Sequence, residues 1–128
     1  MKGFILWFLV YLKNQILQNE CYFIHLFLHC YIAGLQYYEV LEVWKKLEIG
    51  QRLELIPEPD NRYDEYAVIV AFGDKKLGYL PRSQNKTVSL LLQAGHDAYE
   101  ARIQSLFTQN PMYERIEICL KVKEKERK

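Results

Sequence analysis

Two short clusters combine tyrosines with polar or charged side chains at places where the chain should turn. The first runs from Gln36 to Tyr38, and the second runs from Asp60 to Asp64. Tyrosine rings in loops stack on unpaired bases, and each such contact contributes about 1–3 kcal/mol whatever the base. A nearby carboxylate accepts a hydrogen bond from a sugar hydroxyl, and an arginine holds a phosphate. Both clusters are therefore candidates for contacts with single-stranded nucleic acid, although tyrosines near strand ends more often pack on a core.

Signatures of common enzymes are missing from the sequence. It contains no GxSxG, no phosphate-binding loop, no GxGxxG and no HExxH. One tight group of carboxylates, Asp60, Asp64 and Glu65, offers the only candidate for a metal-dependent hydrolase. The sequence therefore predicts a protein that is not an enzyme and that needs no cofactor.

A compact group of potential metal ligands lies at Cys21, His25, His29 and Cys30. The alternating pattern here predicts a strand, and same-side residues of a strand are too far apart to close easily on one ion. We therefore predict no metal site. With Cys119 the cysteines number three and include no CxxC pair. This favours a reducing cytoplasm over a disulfide framework or a zinc ribbon.

The composition fits one globular domain. The chain has 128 residues, half of them hydrophobic, which suffices for one core but not for two sizeable domains. It carries 17 Lys and Arg against 16 Asp and Glu. The basic excess lies in residues 121–128, whereas residues 31–120 hold ten basic and thirteen acidic residues. Because the body is slightly acidic, we expect any nucleic acid to be held over a few nucleotides or at an end.

The N-terminus begins with a continuous apolar run from Phe4 to Leu12. Nine residues are too few for a membrane-spanning helix, which needs about 20, and no small-residue cleavage site follows. Three interpretations stay open. The run packs on the domain or a partner, it forms a weak membrane anchor, or the native protein starts further along the chain. A membrane location is disfavoured, and the cytoplasm is the predicted location.

Alternation and turn residues predict six short strands and two helices. The strands are expected at 22–32, 52–56, 67–72, 76–80, 101–107 and 115–122, and the helices at 40–47 and 87–94. Ser83 is the predicted N-cap of the second helix, and Gly95 its end. Short connections between these elements predict a mainly β fold, a small antiparallel six-stranded barrel with two short helices.

Three blocks of sequence resemble the HIRAN domain family. They are YIAGLQYYE at 31–39, LEIGQRLELIPEPDNRYDEYAVIV at 47–70 and KKLGYLPR at 75–82. The family pattern has a first strand that leads to a double tyrosine, an Asn-x-Tyr-Asp turn and a Gly-Tyr-Leu-Pro return strand. The spacing of the blocks fits over some seventy residues. The resemblance implies an OB-like barrel, with residues 1–20 as a hydrophobic extension, 21–123 as the domain and 124–128 as a charged tail.

The resemblance also implies a binding site for the 3′-hydroxyl end of single-stranded DNA, as in the helicase-like transcription factor family. Tyr37 and Tyr63 match the family's base-stacking tyrosines, and Asp64 matches the acid that contacts the terminal hydroxyl. Arg82 matches a phosphate-contacting position. Tyr113 matches a C-terminal aromatic in a looser alignment.

Two positions depart from the eukaryotic members of the family. Gln36 stands where they have arginine, which removes one positive charge from the phosphate contacts. Tyr79 stands where they have histidine. The large ATPase and RING parts of those proteins have no counterpart here. The expected function is a nucleic-acid-binding module for DNA 3′ ends in repair or replication. The alternative is a protein-interaction or membrane-proximal module that keeps the fold without the DNA site.

Overall fold

Six strands and two short helices make up residues 26–123, the part of the chain that the structure, a computed structural model, describes. The strands are β1 (Leu26–Tyr31), β2 (Arg52–Pro57), β3 (Val68–Phe72), β4 (Lys75–Tyr79), β5 (Tyr99–Leu106) and β6 (Ile116–Val122). The helices are α1 (Val40–Val43) and α2 (Lys86–Gln93). Four 3-10 turns span Leu35–Tyr37, Trp44–Lys46, Arg82–Gln84 and Met112–Glu114. The apolar run at 4–12, Cys21, His25 and the tail at 124–128 lie outside the described residues.

The strands form one antiparallel sheet in the order β1-β6-β5-β2-β3-β4. The sheet curls into a half-barrel, because bulges between Val70 and Ala71 and between Ile103 and Ser105 bend two of its strands. This architecture confirms the predicted fold class, a mainly β, OB-like barrel with two short helices. No helix within residues 26–123 is both long and apolar enough to cross a membrane.

The alternation of strand residues divides the sheet into a core side and an outer side. In β1 and the residue after it, Cys30 and Ile32 are buried while Phe27 and Tyr31 are exposed, which confirms the predicted sides. Apolar side chains of the other strands and of both helices complete a single core. Its fully buried members include Val40, Val68, Val70, Leu77, Leu80, Val88, Ile103, Ile116, Ile118 and Leu120.

The start of helix α2 differs from the prediction. Ser83 was the predicted N-cap, but it lies within the 3-10 turn Arg82–Gln84, and Asn85 occupies the N-cap position. The prediction was wrong because Pro81 starts this extra turn, in which the Gln84 N–H donates to the Pro81 carbonyl at 3.0 Å. The predicted end is confirmed, since Gly95 adopts φ 87° directly after the helix.

A short bridge joins the two ends of the curled sheet. Ala33 and Tyr79 exchange two backbone hydrogen bonds, of 2.8 and 2.9 Å. Gly78 makes this approach possible, because a Cβ atom there would lie 2.3 Å from the Ala33 carbonyl oxygen. The bridge therefore holds the turn after β1 against the end of β4.

Candidate functional site

A pocket of about 460 Å³ opens beside this bridge. Four segments line it: the turn after β1, the loop between β2 and β3, the end of β4 and the 3-10 turn that follows. Of the seven residues predicted to bind DNA, the fold brings five to the pocket lining: Tyr37, Tyr63, Asp64, Tyr79 and Arg82.

Two tyrosine rings at the pocket are largely open to solvent. Tyr37 is 75% exposed and Tyr63 is 79% exposed. Gly34 places Tyr37, because its left-handed conformation at φ 76° starts the 3-10 turn in which the Tyr37 N–H donates to the Gly34 carbonyl. Because so little of either ring is buried in the core, both are available to stack on a flat ligand.

Asn61 organises the loop that carries Tyr63 and Asp64. Its Oδ1 accepts hydrogen bonds from the N–H groups of Tyr63, at 2.9 Å, and Asp64, at 3.1 Å. Its Nδ2 donates to Glu58 Oε1 at 2.6 Å. An Asn side chain that mimics a backbone turn in this way fixes the loop without regular secondary structure.

The Asp64 carboxylate is held through both of its oxygens. Oδ1 accepts the Tyr66 N–H at 2.9 Å, and Oδ2 accepts Asn85 Nδ2 at 2.7 Å. An ionised carboxylate has about four acceptor positions. Two partners therefore leave it able to accept a further hydrogen bond from a hydroxyl in the pocket.

Arg82 provides a positive charge at the same pocket. Its Nη2 donates to the Tyr63 carbonyl at 3.0 Å, and the side chain is otherwise exposed. A guanidinium has five N–H donors. One contact to a carbonyl thus orients the group while leaving other donors for an anionic ligand.

Tyr79 belongs to a polar network at the back of the pocket. Lys76 Nζ donates to Tyr79 Oη at 2.6 Å, and Tyr79 Oη donates to Glu58 Oε1 at 3.0 Å. The Lys76 ammonium also lies 4.2 Å from the ring centre of Tyr38 and 4.3 Å from that of Tyr79. The network fixes the Tyr79 ring, which presents an apolar surface to the pocket.

Two pKa shifts define the charges of this network. Burial raises the pKa of Tyr79, and the opposing effect of the hydrogen bond from Lys76 does not cancel it. Burial alone would lower the pKa of Lys76, but the hydrogen bond to Tyr79 and the charge of Glu58 outweigh it, so this pKa is raised. At neutral pH the network therefore contains a neutral phenol and a charged ammonium.

Gln36 and Tyr113, the other two predicted residues, do not line the pocket. Gln36 is exposed on the 3-10 turn that carries Tyr37. Tyr113 is 61% exposed on the turn Met112–Glu114, which packs beside the turn Leu35–Tyr37. Their side chains are available to a ligand only beyond the pocket itself.

Sequence reasoning missed the supporting residues of the site. Asn61 and Tyr38 stood in the clusters but not among the predicted contacts, and Glu58, Lys76 and Asn85 were not singled out. The Asn-x-Tyr-Asp spacing is a usable signal for Asn61, because an Asn two residues before another turn residue favours an Asx turn. No local pattern signals Asn85, whose partner Asp64 is distant in sequence. Lys76 bonds to Tyr79 three residues away, but it also lies over the ring of Tyr38, which is distant in sequence.

A second groove, of about 530 Å³, shares Tyr37 and Tyr38 with the pocket. Glu39, Glu42 and the exposed Leu41 also line it. Lys76 lines it too, and Glu42 pairs with Lys75 at 3.1 Å, so the groove presents both signs of charge. Among residues 26–123, no group of three or more His, Cys, Asp and Glu side chains could hold a metal ion.

Comparisons with known proteins agree on one family and one fold. The model of the HIRAN domain family matches residues 26–122. The crystal structure of a protein from Lactobacillus plantarum has a TM-score of 0.64 at 24% identity, covering 74% of this chain and 90% of that one. The crystal structure of the HIRAN domain of human HLTF has a TM-score of 0.51 at 17% identity, covering 73% and 69%. At these identities the two structures show likeness of fold alone, and no curated protein matches the chain.

Proposed function

The chain belongs to the HIRAN domain family, and we propose that it binds single-stranded DNA at the 3′-hydroxyl end. Domains of this family are generally nucleic-acid-binding modules. The observation that carries the proposal is the pocket, which combines exposed Tyr37 and Tyr63 rings with an oriented carboxylate and a partly free guanidinium. Few other ligands need flat aromatic surfaces, a hydrogen-bond acceptor for a hydroxyl and a hydrogen-bond donor for a phosphate within one small pocket.

Each side chain has a distinct role in this proposal. The rings of Tyr37 and Tyr63 stack on the last bases, which are unpaired at a strand end and therefore free to turn towards the protein. The Asp64 carboxylate accepts a hydrogen bond from the terminal hydroxyl, and Arg82 holds a nearby phosphate. Base stacking tolerates any sequence, so the module reads the end of the strand and not its sequence.

Charge favours one path for the rest of the strand. Arg82 lies on one side of the pocket, whereas Glu39 and Glu42 line the groove on the other side of Tyr37 and Tyr38. Arg82 therefore attracts a phosphate to the pocket, while the groove, which Lys76 also lines, presents both signs of charge. The net charge of only +1 for the whole chain supports a short contact with few phosphates.

We propose that the protein does not hydrolyse DNA and acts in the cytoplasm, in repair or replication, by marking or holding strand ends. Incubation of purified protein with labelled DNA and magnesium should leave the DNA intact. Degradation that is lost in Asp64→Ala would contradict this part of the proposal.

Fluorescence anisotropy tests the main proposal directly. Two labelled oligonucleotides of about ten nucleotides, a length suited to one small barrel, differ only in a 3′-hydroxyl or a 3′-phosphate. The phosphate cannot donate the same hydrogen bond, and its charge repels Asp64. We expect about tenfold tighter binding of the hydroxyl form. Equal binding would refute end recognition, and no binding of either would favour the alternative of a protein-interaction module.

A further inference from the structure

The side chain of Asn85 has an unusual partner for its position. An Asn at a helix N-cap ordinarily accepts a hydrogen bond from an N–H group in the first turn of the helix. At α2 the Asn85 side chain makes no such bond. Its Nδ2 instead donates to Asp64 Oδ2, 21 residues away in sequence, at 2.7 Å. The capping group of the helix is thus turned towards the pocket.

Burial separates the role of Asn85 from that of a ligand-binding residue. Only 2% of Asn85 is exposed, and it is not part of the pocket lining. Its contact with the site runs entirely through the Asp64 carboxylate. The side chain of Asn85 therefore reaches a ligand through Asp64.

We propose that Asn85 is a positioning residue that sets the specificity of the pocket for a terminal hydroxyl over a terminal phosphate. This inference rests on the proposed function and adds to it a determinant outside the pocket. The Tyr66 N–H holds one oxygen of Asp64 and Asn85 holds the other. With a donor on each oxygen, the carboxylate cannot rotate about its last torsion, which is otherwise broad.

The fixed carboxylate acts on both ligands. A terminal hydroxyl finds an acceptor whose open lone pairs already point in a defined direction, so little ordering is required on binding. A terminal phosphate meets a negative charge that cannot swing away from it. Loss of the Asn85 donor should therefore weaken hydroxyl binding and relieve phosphate repulsion, and both effects reduce the ratio between the two affinities.

Two substitutions of Asn85 test this, with Gln84→Leu as the matched control. Asn85→Leu removes the donor, and Asn85→Asp keeps the shape and a good N-cap residue but replaces the donor with a second negative charge. Gln84 is exposed one residue earlier and also carries an amide. The readout is the ratio of Kd for the 3′-phosphate oligonucleotide to Kd for the 3′-hydroxyl oligonucleotide. We expect about a tenfold lower ratio in Asn85→Leu and an unchanged ratio in Gln84→Leu. In Asn85→Asp the ratio should not fall, because the second negative charge beside Asp64 keeps the terminal phosphate repelled.

The Asp64→Asn background shows whether Asn85 acts through Asp64. Adding Asn85→Leu to Asp64→Asn should lower the ratio no further, because the group that Asn85 orients has lost its charge. If Asn85→Leu lowered the affinity ratio in the Asp64→Asn background as much as it does in the wild-type protein, the proposal would be overturned.

Amide hydrogen exchange in the free protein gives a readout without DNA. In Asn85→Leu the Tyr66 amide should exchange faster, because its acceptor is no longer anchored, while the Tyr63 amide, which is held by Asn61, should be unaffected. A general loss of stability would speed up both. Two results would overturn the role of Asn85 alone. One is an unchanged exchange rate of the Tyr66 amide in Asn85→Leu. The other is a wild-type protein that prefers the 3′-hydroxyl and an Asn85→Leu variant with the same affinity ratio. Equal binding of the two oligonucleotides by the wild-type protein would refute the proposed function itself.

Discussion

Ala33 and Tyr79 pair through two backbone hydrogen bonds, although they belong to segments at opposite ends of the sheet order. This single bridge brings the turn that carries Tyr37 and Tyr38 next to the end of β4. Residues of both segments line the pocket. The pocket is therefore complete only while this end of the curled sheet is closed.

Gly78→Ala should destabilise the protein. The new methyl carbon would lie 2.3 Å from the Ala33 carbonyl oxygen and 2.7 Å from Ile32, so the bridge must move apart. Forced overpacking of this kind costs about 1–3 kcal/mol. Chemical denaturation measures the free energy of unfolding, with Asp74→Ala in the adjacent exposed turn as the control. Without the steric conflict, alanine in a strand would be neutral or stabilising, so a variant as stable as wild type would contradict the close approach.

Tyr37→Ala and Tyr63→Ala should each weaken binding of single-stranded DNA by about 1–3 kcal/mol, which is the typical contribution of one stacked base. Because both rings are mostly exposed, the melting temperature should change little. Tyr31→Ala is the matched control, since this exposed tyrosine lies outside the pocket lining and is not among the predicted contacts. Anisotropy titrations in which all three variants lose the same affinity would argue against the pocket as the stacking site.

Arg82→Gln should weaken DNA binding more at low salt than at high salt. Each phosphate neutralised on a single strand contributes about −0.7 to the slope of log K against log salt concentration. We expect the slope to become shallower by about this amount in Arg82→Gln. Arg62→Gln removes an equal charge from an exposed position in the loop between β2 and β3, outside the pocket lining. A slope that changes equally in both variants would indicate a general charge effect.

Glu100 should make a pH-dependent contribution to stability. It is 8% exposed and lies 2.6 to 3.2 Å from Arg52, Arg102 and Lys121. Burial would raise the pKa of Glu100, but hydrogen bonds from Arg102 and Lys121 outweigh this and lower it below the unfolded value. A carboxyl with a lowered pKa in the folded state stabilises that state above its unfolded pKa of about 4.3 and loses this contribution as the pH falls further.

Glu100→Gln measures that contribution. At neutral pH the variant should be less stable than wild type by roughly 1–3 kcal/mol, because hydrogen bonds to a charged acceptor are lost. The difference should shrink as the pH falls below about 4.3. Denaturation curves across this range provide the measurement. A difference that stays constant with pH would show that packing, not charge, is responsible.

Cys30 should be unreactive in the folded protein. Burial, together with the negative charge of Glu117, raises the pKa of Cys30 to about 12, and only the thiolate reacts quickly with thiol reagents. In a variant with Cys21→Ser and Cys119→Ala, which leaves Cys30 as the one thiol, Ellman's reagent at neutral pH should label Cys30 only after denaturant is added. Labelling at the rate of a free cysteine would contradict the burial of this thiol.

Alternation and turn residues were sufficient to predict the strands, whereas Tyr79 and Arg82 were assigned to the site only through the family resemblance. Cys30 and Ile32 point inward as period-two patterning requires, because a strand with one buried face has little freedom of register. The loop tyrosines and Asp64 were found because their residue types indicate possible ligand contacts whatever the conformation of the loop. These are local properties, and local patterns report them well.

Long-range contacts could not be predicted in the same way. Asn85 was not singled out from the sequence, because it joins the site through a hydrogen bond to Asp64, 21 residues away, and no local pattern predicts such a pairing. Gln36 neighbours Tyr37 in sequence, yet only Tyr37 lines the pocket, since a 3-10 turn sends successive side chains in different directions. Such choices depend on how distant segments meet.

The pairing of β1 with β6 sets Leu26 beside Lys121. The domain thus begins and ends on neighbouring strands, so that a host protein could carry it as an inserted cassette without separating the flanking segments by much. For the same reason, joining these two ends with a short linker and opening the chain in the exposed turn at Gly73 should give a circular permutant with the same topology. The new termini of such a permutant come from a cut between Ala33 and Tyr79 in the original sequence. The pocket would still form, from the tertiary contacts alone.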